Sequence, residues 1–92
     1  MNQIGEQLAE QLRTALPGSL VYWEKQPTVE SLSAAVLTAE YRGRKFTMQF
    51  ARAEHAAGPE VLDDSFIEQV VDDFSDFFSR TIYPKEKFTR II

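Results

Sequence analysis

The segment from Asp63 to Thr81, DDSFIEQVVDDFSDFFSRT, is the clearest structural pattern in the chain. Its apolar residues recur every three or four positions, the period of an amphipathic helix: Phe66, Ile67, Val70, Val71, Phe74, Phe77 and Phe78. Asp63 or Asp64 can cap this helix, because a carboxylate accepts hydrogen bonds from the free N–H groups of the first turn. We therefore expect one long helix whose apolar side packs on the rest of the chain.

The sequence before this stretch predicts one more helix and three strands. A helix capped by Asn2 runs to about Leu16 and ends at Pro17-Gly18. Alternating or β-branched residues then predict strands over Leu20–Lys25, Leu32–Tyr41 and Lys45–Arg52. Gly43 supplies the positive φ that a tight hairpin requires between the last two strands.

This order, α-β-β-β-α, predicts an α+β fold in a single domain over residues 1–92. The expected architecture is a three-stranded antiparallel sheet with two helices packed on one face. Residues 83–92 form either a loosely packed basic tail or a short edge strand. The expected core is shared by the sheet and the second helix: Trp23, Leu37, Phe46, Met48, Phe50, Val70, Phe74 and Phe77.

Composition excludes several classes of protein. The chain has 92 residues, no cysteine and a net charge of −4, so it carries neither a disulfide framework nor a thiolate metal site. Its N-terminus has no basic and apolar signal segment, and no apolar run is long enough to span a bilayer. We expect a cytoplasmic protein that has no membrane role.

The strongest chemical signal is acidic. Seven carboxylates and no cation lie between Glu60 and Asp76. Like charges four residues apart destabilise a helix by roughly 0.2–0.5 kcal/mol per pair, and carboxylates in its C-terminal half oppose the helix dipole. Either this is a solvated face, or it is a docking surface for a basic partner. The candidate partner-binding residues are Asp64, Glu68, Asp72, Asp73, Asp76 and Phe77.

Phe77 joins this set because the apolar face of the helix is wide. A three-stranded sheet leaves part of such a face uncovered, so Phe66, Phe77 or Phe78 can lie at its rim. An aromatic residue beside a row of charges is a usual arrangement at protein interfaces.

The acidic row also permits nucleic-acid mimicry. Its carboxylates are about 6 Å apart along the helix, whereas duplex DNA carries one charge per roughly 1.7 Å. The row is therefore sparser than DNA, and it fits a Lys/Arg-rich protein surface equally well. Compact, acidic chains of this size are typical of phage or mobile-element inhibitors of nucleic-acid-handling complexes, anti-CRISPR proteins among them. That likeness is one of general character and rests on no motif.

The alternative function is nucleic-acid binding. A basic hairpin tip with interleaved aromatics can contact phosphates, as can a basic C-terminal segment. The candidate residues are Arg42, Arg44, Lys45, Arg52, Lys85, Lys87 and Arg90. The order of elements resembles that of double-stranded-RNA-binding domains. In that family a basic cluster at the start of the last helix meets the phosphates. Here that position holds Glu60, Asp63 and Asp64, so we do not assign the chain to that family.

No pattern indicates catalysis. His55 is the only histidine, and the helix serines have no histidine near them in sequence, so a nucleophilic triad has no support. No EF-hand loop or glycine-rich phosphate loop is present. We expect a non-enzymatic protein without metal, cofactor or small-molecule substrate, either a monomer or a homodimer. A structural homodimer subunit, joined through the open sheet face or the C-terminal segment, is a further alternative.

Overall fold

The computed structural model describes residues 3–29, 31–53, 58, 60–80 and 86–92. Two helices and four strands follow one another along the chain: α1 (Gln3–Ala15), β1 (Leu20–Lys25), β2 (Val36–Tyr41), β3 (Arg44–Ala51), α2 (Asp64–Ser79) and β4 (Lys87–Ile91). The predicted cap Asn2 and the single histidine, His55, lie outside the described residues. The α+β class expected from the sequence is confirmed.

The sheet differs from the prediction in size and in direction. It has four strands in the order β1-β2-β3-β4, and three antiparallel strands were expected. The first two pairings are antiparallel, whereas β4 runs parallel to β3. Helix α2 therefore serves as the crossover between two parallel neighbours, which is the connection such neighbours require.

The sequence predicts either a basic tail or a short edge strand for residues 83–92, because this segment is basic and only partly apolar. In the structure, Phe88 is paired with Met48 and Arg90 with Phe50. Those partners on β3 are buried, so Phe88 and Arg90 lie on the face of the sheet that carries the helices. This edge position resolves the choice between a tail and an edge strand for residues 87–91.

The core fills the space between the helices and one face of the sheet. Phe50, Phe74, Leu8, Leu12, Leu37, Met48 and Ile67 are fully buried. All but one of the predicted core residues are buried; the exception is Trp23, which is partly exposed. Its indole Nε1 donates a hydrogen bond of 3.3 Å to the carbonyl of Gly5 in α1. This bond ties the first helix to the edge strand β1.

Strand β2 begins four residues later than predicted. Ala34 has a φ of 68°, in the left-handed region that an L-residue in a strand does not adopt. Its N–H donates to the carbonyl of Phe50, which turns the chain into the sheet only at Val36. The hairpin that follows is as expected: Arg42 and Gly43 have φ values of 53° and 77°, the signature of a type I′ turn.

Candidate functional site

The N-terminus of helix α2 is capped by the residue that directly precedes it. The Asp63 carboxylate accepts a hydrogen bond of 2.9 Å from the N–H of Phe66. Asp64 occupies the first turn, where a negative charge complements the helix dipole. Of the two residues that the sequence offered as the cap, Asp63 is the one that serves.

The C-terminus of α2 is capped by a side chain from strand β3. The last turn of the helix contains no basic residue. Arg44 of β3 takes that role: its guanidinium donates hydrogen bonds to the carbonyls of Phe77, Phe78 and Arg80, at 3.1, 3.2 and 3.1 Å. The same group lies 4.4 Å from the centre of the Phe77 ring. A cation at the carbonyl end of a helix satisfies both its orphan acceptors and its dipole.

Two of the predicted partner-binding carboxylates have internal partners. Asp73 forms an ion pair of 2.7 Å with Arg90 of β4, whose other terminal nitrogen donates to Gln69. Asp76 forms an ion pair of 2.7 Å with Arg80, the C-cap residue of the same helix. The Asp73 pair fastens the edge strand to α2, so this carboxylate has a structural role.

The other three carboxylates, Asp64, Glu68 and Asp72, form what we name the carboxylate row. Each is exposed, and none has an ion pair or side-chain hydrogen bond to any residue that the structure describes. They recur every four residues, so they follow one side of the helix over about 12 Å. Nothing in the described part of the chain neutralises this side of α2.

Phe77 is placed in the core. Only 6% of it is exposed, and its ring stacks on Phe46 with centroids 4.3 Å apart. It reaches the surface through a cavity of about 260 Å³ between α2 and the β3–β4 edge. The cavity is lined by Phe46, Asp73, Asp76, Phe77, Arg80, Lys87 and Phe88. Three of the six predicted partner-binding residues thus meet here, around an aromatic floor.

The basic candidates are divided among different surfaces. Arg44 and Arg90 point to α2 and are engaged there, as described above. Arg52 donates to the carbonyl of Gly58 at 2.7 Å and lies 3.8 Å from Glu60. Lys85 lies outside the described residues. The exposed members are Arg42, Lys45 and Lys87. Lys87 is paired with Thr47, two residues after Lys45, so these two lysines share the open face of the sheet.

Glu60 forms a buried connection that the sequence did not indicate. Its side chain is 7% exposed and accepts hydrogen bonds from the Leu32 N–H at 3.0 Å and from the Ser31 hydroxyl. Together with Arg52 it joins the loop before β2 to the segment before α2. We name this group the Glu60 clasp.

The open face of the sheet carries a polar network. The hydroxyl of Thr38 is buried and bonded to Glu24 at 2.7 Å and to Thr47 at 2.9 Å. Next to it, the Tyr22 hydroxyl donates to Glu40 at 2.9 Å. This hydrogen bond raises the pKa of Tyr22, with further contributions from desolvation and from the negative charges of Glu40 and Glu24.

The structural arginines could have been found from strand periodicity. Arg44 shares its side of β3 with Phe46, Met48 and Phe50, since side chains two apart lie on one face. An arginine in register with an apolar face requires an internal acceptor, and the carbonyl end of a helix is one. The clasp and the cavity had no such signal, because each joins segments that are distant in sequence.

No family model, no curated protein and no solved structure matches this chain. Neither helix in the described residues is long and apolar enough to cross a membrane. Within the same residues, no group of three or more His, Asp or Glu side chains is arranged to hold a metal ion.

Proposed function

We propose that this chain is a small, non-enzymatic protein-binding domain. It docks the carboxylate row of α2 on a basic surface of a partner protein. The observation that carries the proposal is the contrast within one helix: Asp73 and Asp76 are paired with arginines, whereas the row has no cation among the described residues. The row is therefore the part of the acidic surface that is available to a partner.

The helix presents these charges in a fixed arrangement. Both ends of α2 are held, by Asp63 at the start and by Arg44 at the end. A partner then binds without the entropy cost of ordering the helix. A row of one sign also accelerates encounter with a basic surface and makes the association rate sensitive to salt.

The partner chemistry is a Lys/Arg-rich protein surface. Proteins that handle nucleic acids carry such surfaces for phosphate binding. Occupation of one by the carboxylate row would block it, so the proposed function includes inhibition of a nucleic-acid-handling complex. The spacing of about 6 Å between successive carboxylates of the row suits separate lysine or arginine contacts better than imitation of duplex DNA.

The test is affinity capture from a source lysate with two matched variants. Glu68→Gln with Asp72→Asn removes two charges from the row. Glu6→Gln with Glu10→Gln removes two charges from the exposed side of α1, so both variants have the same net charge. We expect a partner that the α1 variant retains and the row variant loses; retention of it by both would contradict the proposal.

The nucleic-acid alternative predicts that the chain binds RNA or DNA, whereas the protein-binding proposal predicts that it does not. It now depends on Arg42, Lys45 and Lys87, since Arg44 and Arg90 are engaged with α2. A gel-shift assay with mixed RNA and DNA at low salt is expected to show no complex. A complex that weakens on Lys45→Glu with Lys87→Glu would favour the alternative.

A further inference from the structure

The outer edge of the sheet at β4 has backbone groups that point away from the fold. The Thr47 N–H donates to the carbonyl of Glu86 at 2.8 Å, and the Ile92 N–H donates to that of Ala51 at 2.8 Å. Hydrogen bonding in a parallel pair uses alternate residues of each strand. The N–H and C=O groups of Lys87, Thr89 and Ile91 therefore face outward, and no other described strand pairs with them.

This edge also exposes hydrophobic side chains. Five large hydrophobic residues of the described chain are exposed, and two of them belong to β4. Phe88 is 47% exposed on the helix side, and Ile91 is 60% exposed on the open side. An added strand would cover both, because its side chains alternate between the same two faces.

We propose that β4 pairs antiparallel with β4 of a second copy of this chain, centred on Phe88. The outward groups of Lys87 then bond those of Thr89 in the other copy. Phe88 lies opposite its own equivalent as a non-hydrogen-bonded pair, with Cα atoms about 4.5 Å apart. The result is a two-fold symmetric dimer with one continuous eight-stranded sheet.

Charge complementarity favours a second copy of this chain as the partner of β4, and it favours the register centred on Phe88. The side chains of Glu86, Phe88 and Arg90 share the helix side of the edge, so antiparallel pairing at Phe88 sets Glu86 opposite Arg90 of the other copy, twice. Arg90 keeps its ion pair with Asp73, and Glu86 of the other copy adds a second carboxylate to the same guanidinium. Opposite charges and aromatic pairs in directly facing positions stabilise a sheet. In the register centred on Thr89, Glu86 faces Ile92 and this match is lost. The segment is thus complementary to itself, as a symmetric interface requires.

The cavity gives the second Phe88 a place to bind. Phe88 already lines it, together with Phe46 and Phe77. Its volume of about 260 Å³ lies below the roughly 300–1,000 Å³ of pockets that take small-molecule ligands, and it suits one large side chain. The carboxylate row lies on another side of α2, away from the Asp73–Arg90 pair. The dimer therefore leaves the row exposed, and this inference does not rest on the proposed function.

Sedimentation equilibrium tests the dimer, with variants that leave the fold intact. Wild type is expected to approach twice the 10.5 kDa chain mass as concentration rises. Thr89→Pro removes an outward N–H without changing the β3–β4 hydrogen bonds. Glu86→Arg sets an arginine opposite Arg90 of the other copy. Both variants are expected to stay monomeric and to keep the circular dichroism spectrum of wild type. Leu20→Ser, on the opposite edge strand, is the matched control and is expected to dimerise. Wild type that remains at 10.5 kDa throughout overturns the proposal.

The register has its own test, because the chain contains no cysteine. Phe88→Cys is expected to form a disulfide-linked dimer under mild oxidation, since its Cα atoms come within bridging distance. Leu20→Cys is expected to remain uncrosslinked. Crosslinking at Thr89→Cys without crosslinking at Phe88→Cys would overturn the pairing centred on Phe88.

Discussion

Arg44 and Phe77 are joined twice. The guanidinium lies 4.4 Å from the centre of the Phe77 ring and donates a hydrogen bond of 3.1 Å to the carbonyl of the same residue. A side chain that the sequence assigned to a basic hairpin thus closes the C-terminal end of an acidic helix. The contact explains how α2 tolerates carboxylates in its second half: the sheet supplies the cation that its last turn lacks.

Arg44→Met is expected to lower the free energy of unfolding by about 2–3 kcal/mol. A hydrogen bond from a charged group contributes roughly 1.5–3 kcal/mol, and carbonyls at a helix end recover part of the loss of three such bonds by bonding to water. Urea unfolding measures the change. Lys45→Met, at the exposed neighbouring position, is the control and is expected to stay within about 0.5 kcal/mol of wild type. Equal losses for the two variants would show that Arg44 does not hold the helix.

Arg42→Asn is expected to raise the free energy of unfolding by about 0.5–1 kcal/mol. Arg42 has a φ of 53° in the hairpin turn, and the left-handed conformation costs an ordinary L-residue roughly 1–2 kcal/mol. Asn-Gly is the preferred sequence for this turn type. Thermal unfolding checks the result, with Lys45→Asn in the adjoining strand as the control that gains nothing. A lower melting temperature for Arg42→Asn would contradict the turn assignment.

Glu60→Ala is expected to cost about 2–4 kcal/mol, because it leaves the Leu32 N–H and the Ser31 hydroxyl without their buried acceptor and removes the ion-pair partner of Arg52. Glu68→Ala, an exposed member of the carboxylate row, is the control for removing a carboxylate and is expected to change stability by about 0.5 kcal/mol or less. Chemical denaturation of both variants measures the change in the free energy of unfolding. Similar midpoints would mean that the Glu60 clasp contributes nothing to the fold.

Glu68→Gln with Asp72→Asn is expected to stabilise the protein slightly, by about 0.2–0.5 kcal/mol per like-charge pair removed. The gain shrinks as salt screens the row. Glu6→Gln with Glu10→Gln is the matched control. It removes the Glu6–Glu10 like-charge pair but also breaks the Glu10–Arg13 ion pair of 3.7 Å, so it is expected to give no net gain. Melting temperatures at low and high salt measure both. A loss of stability in the row variant would show that the row is held by contacts within the fold.

The alkaline titration of Tyr22 reports the Tyr22–Glu40 hydrogen bond. This bond raises the pKa of Tyr22 above the 10.0 of an unperturbed tyrosine. The folded state therefore keeps the proton to higher pH than the unfolded state. The contribution to stability is complete below pH 10 and is lost as pH rises through the folded-state pKa.

Absorbance titration of the tyrosinate measures this pKa, with Tyr22→Phe identifying the band. Glu40→Gln is expected to move the Tyr22 pKa back toward 10, because both the charge and the preferred acceptor are lost. An unchanged titration in Glu40→Gln would place the cause elsewhere.

Most of the helices and strands could be predicted from the periodicity of residues close in sequence. The limits of β1 and the apolar face of α2 followed from residues close in sequence, and so did the Arg42-Gly43 turn. The direction and pairing of β4 did not, since a parallel neighbour depends on where α2 delivers the chain. Likewise, the late start of β2 is caused by the bond from Ala34 to Phe50 and by the clasp at Leu32, both contacts between distant segments.

The candidate site shows the same division. The spacing of Asp64, Glu68 and Asp72 predicted a row on the exposed side of the helix, and they are exposed. Asp73 and Asp76 belong to the same acidic run, yet their roles depend on Arg90 and Arg80. Only the fold brings Arg90 of the last strand to Asp73. Charge counted along the sequence therefore overstates the part of the surface that is available to a partner.

Calorimetric titration of the captured partner, over a series of salt concentrations, measures how much of the binding free energy comes from the carboxylate row. Wild type is expected to bind with an affinity that falls as salt rises. The variant Glu68→Gln with Asp72→Asn is expected to bind more weakly and to depend less on salt, whereas Glu6→Gln with Glu10→Gln follows wild type. The same affinity and the same salt dependence in all three proteins would contradict docking through the carboxylate row.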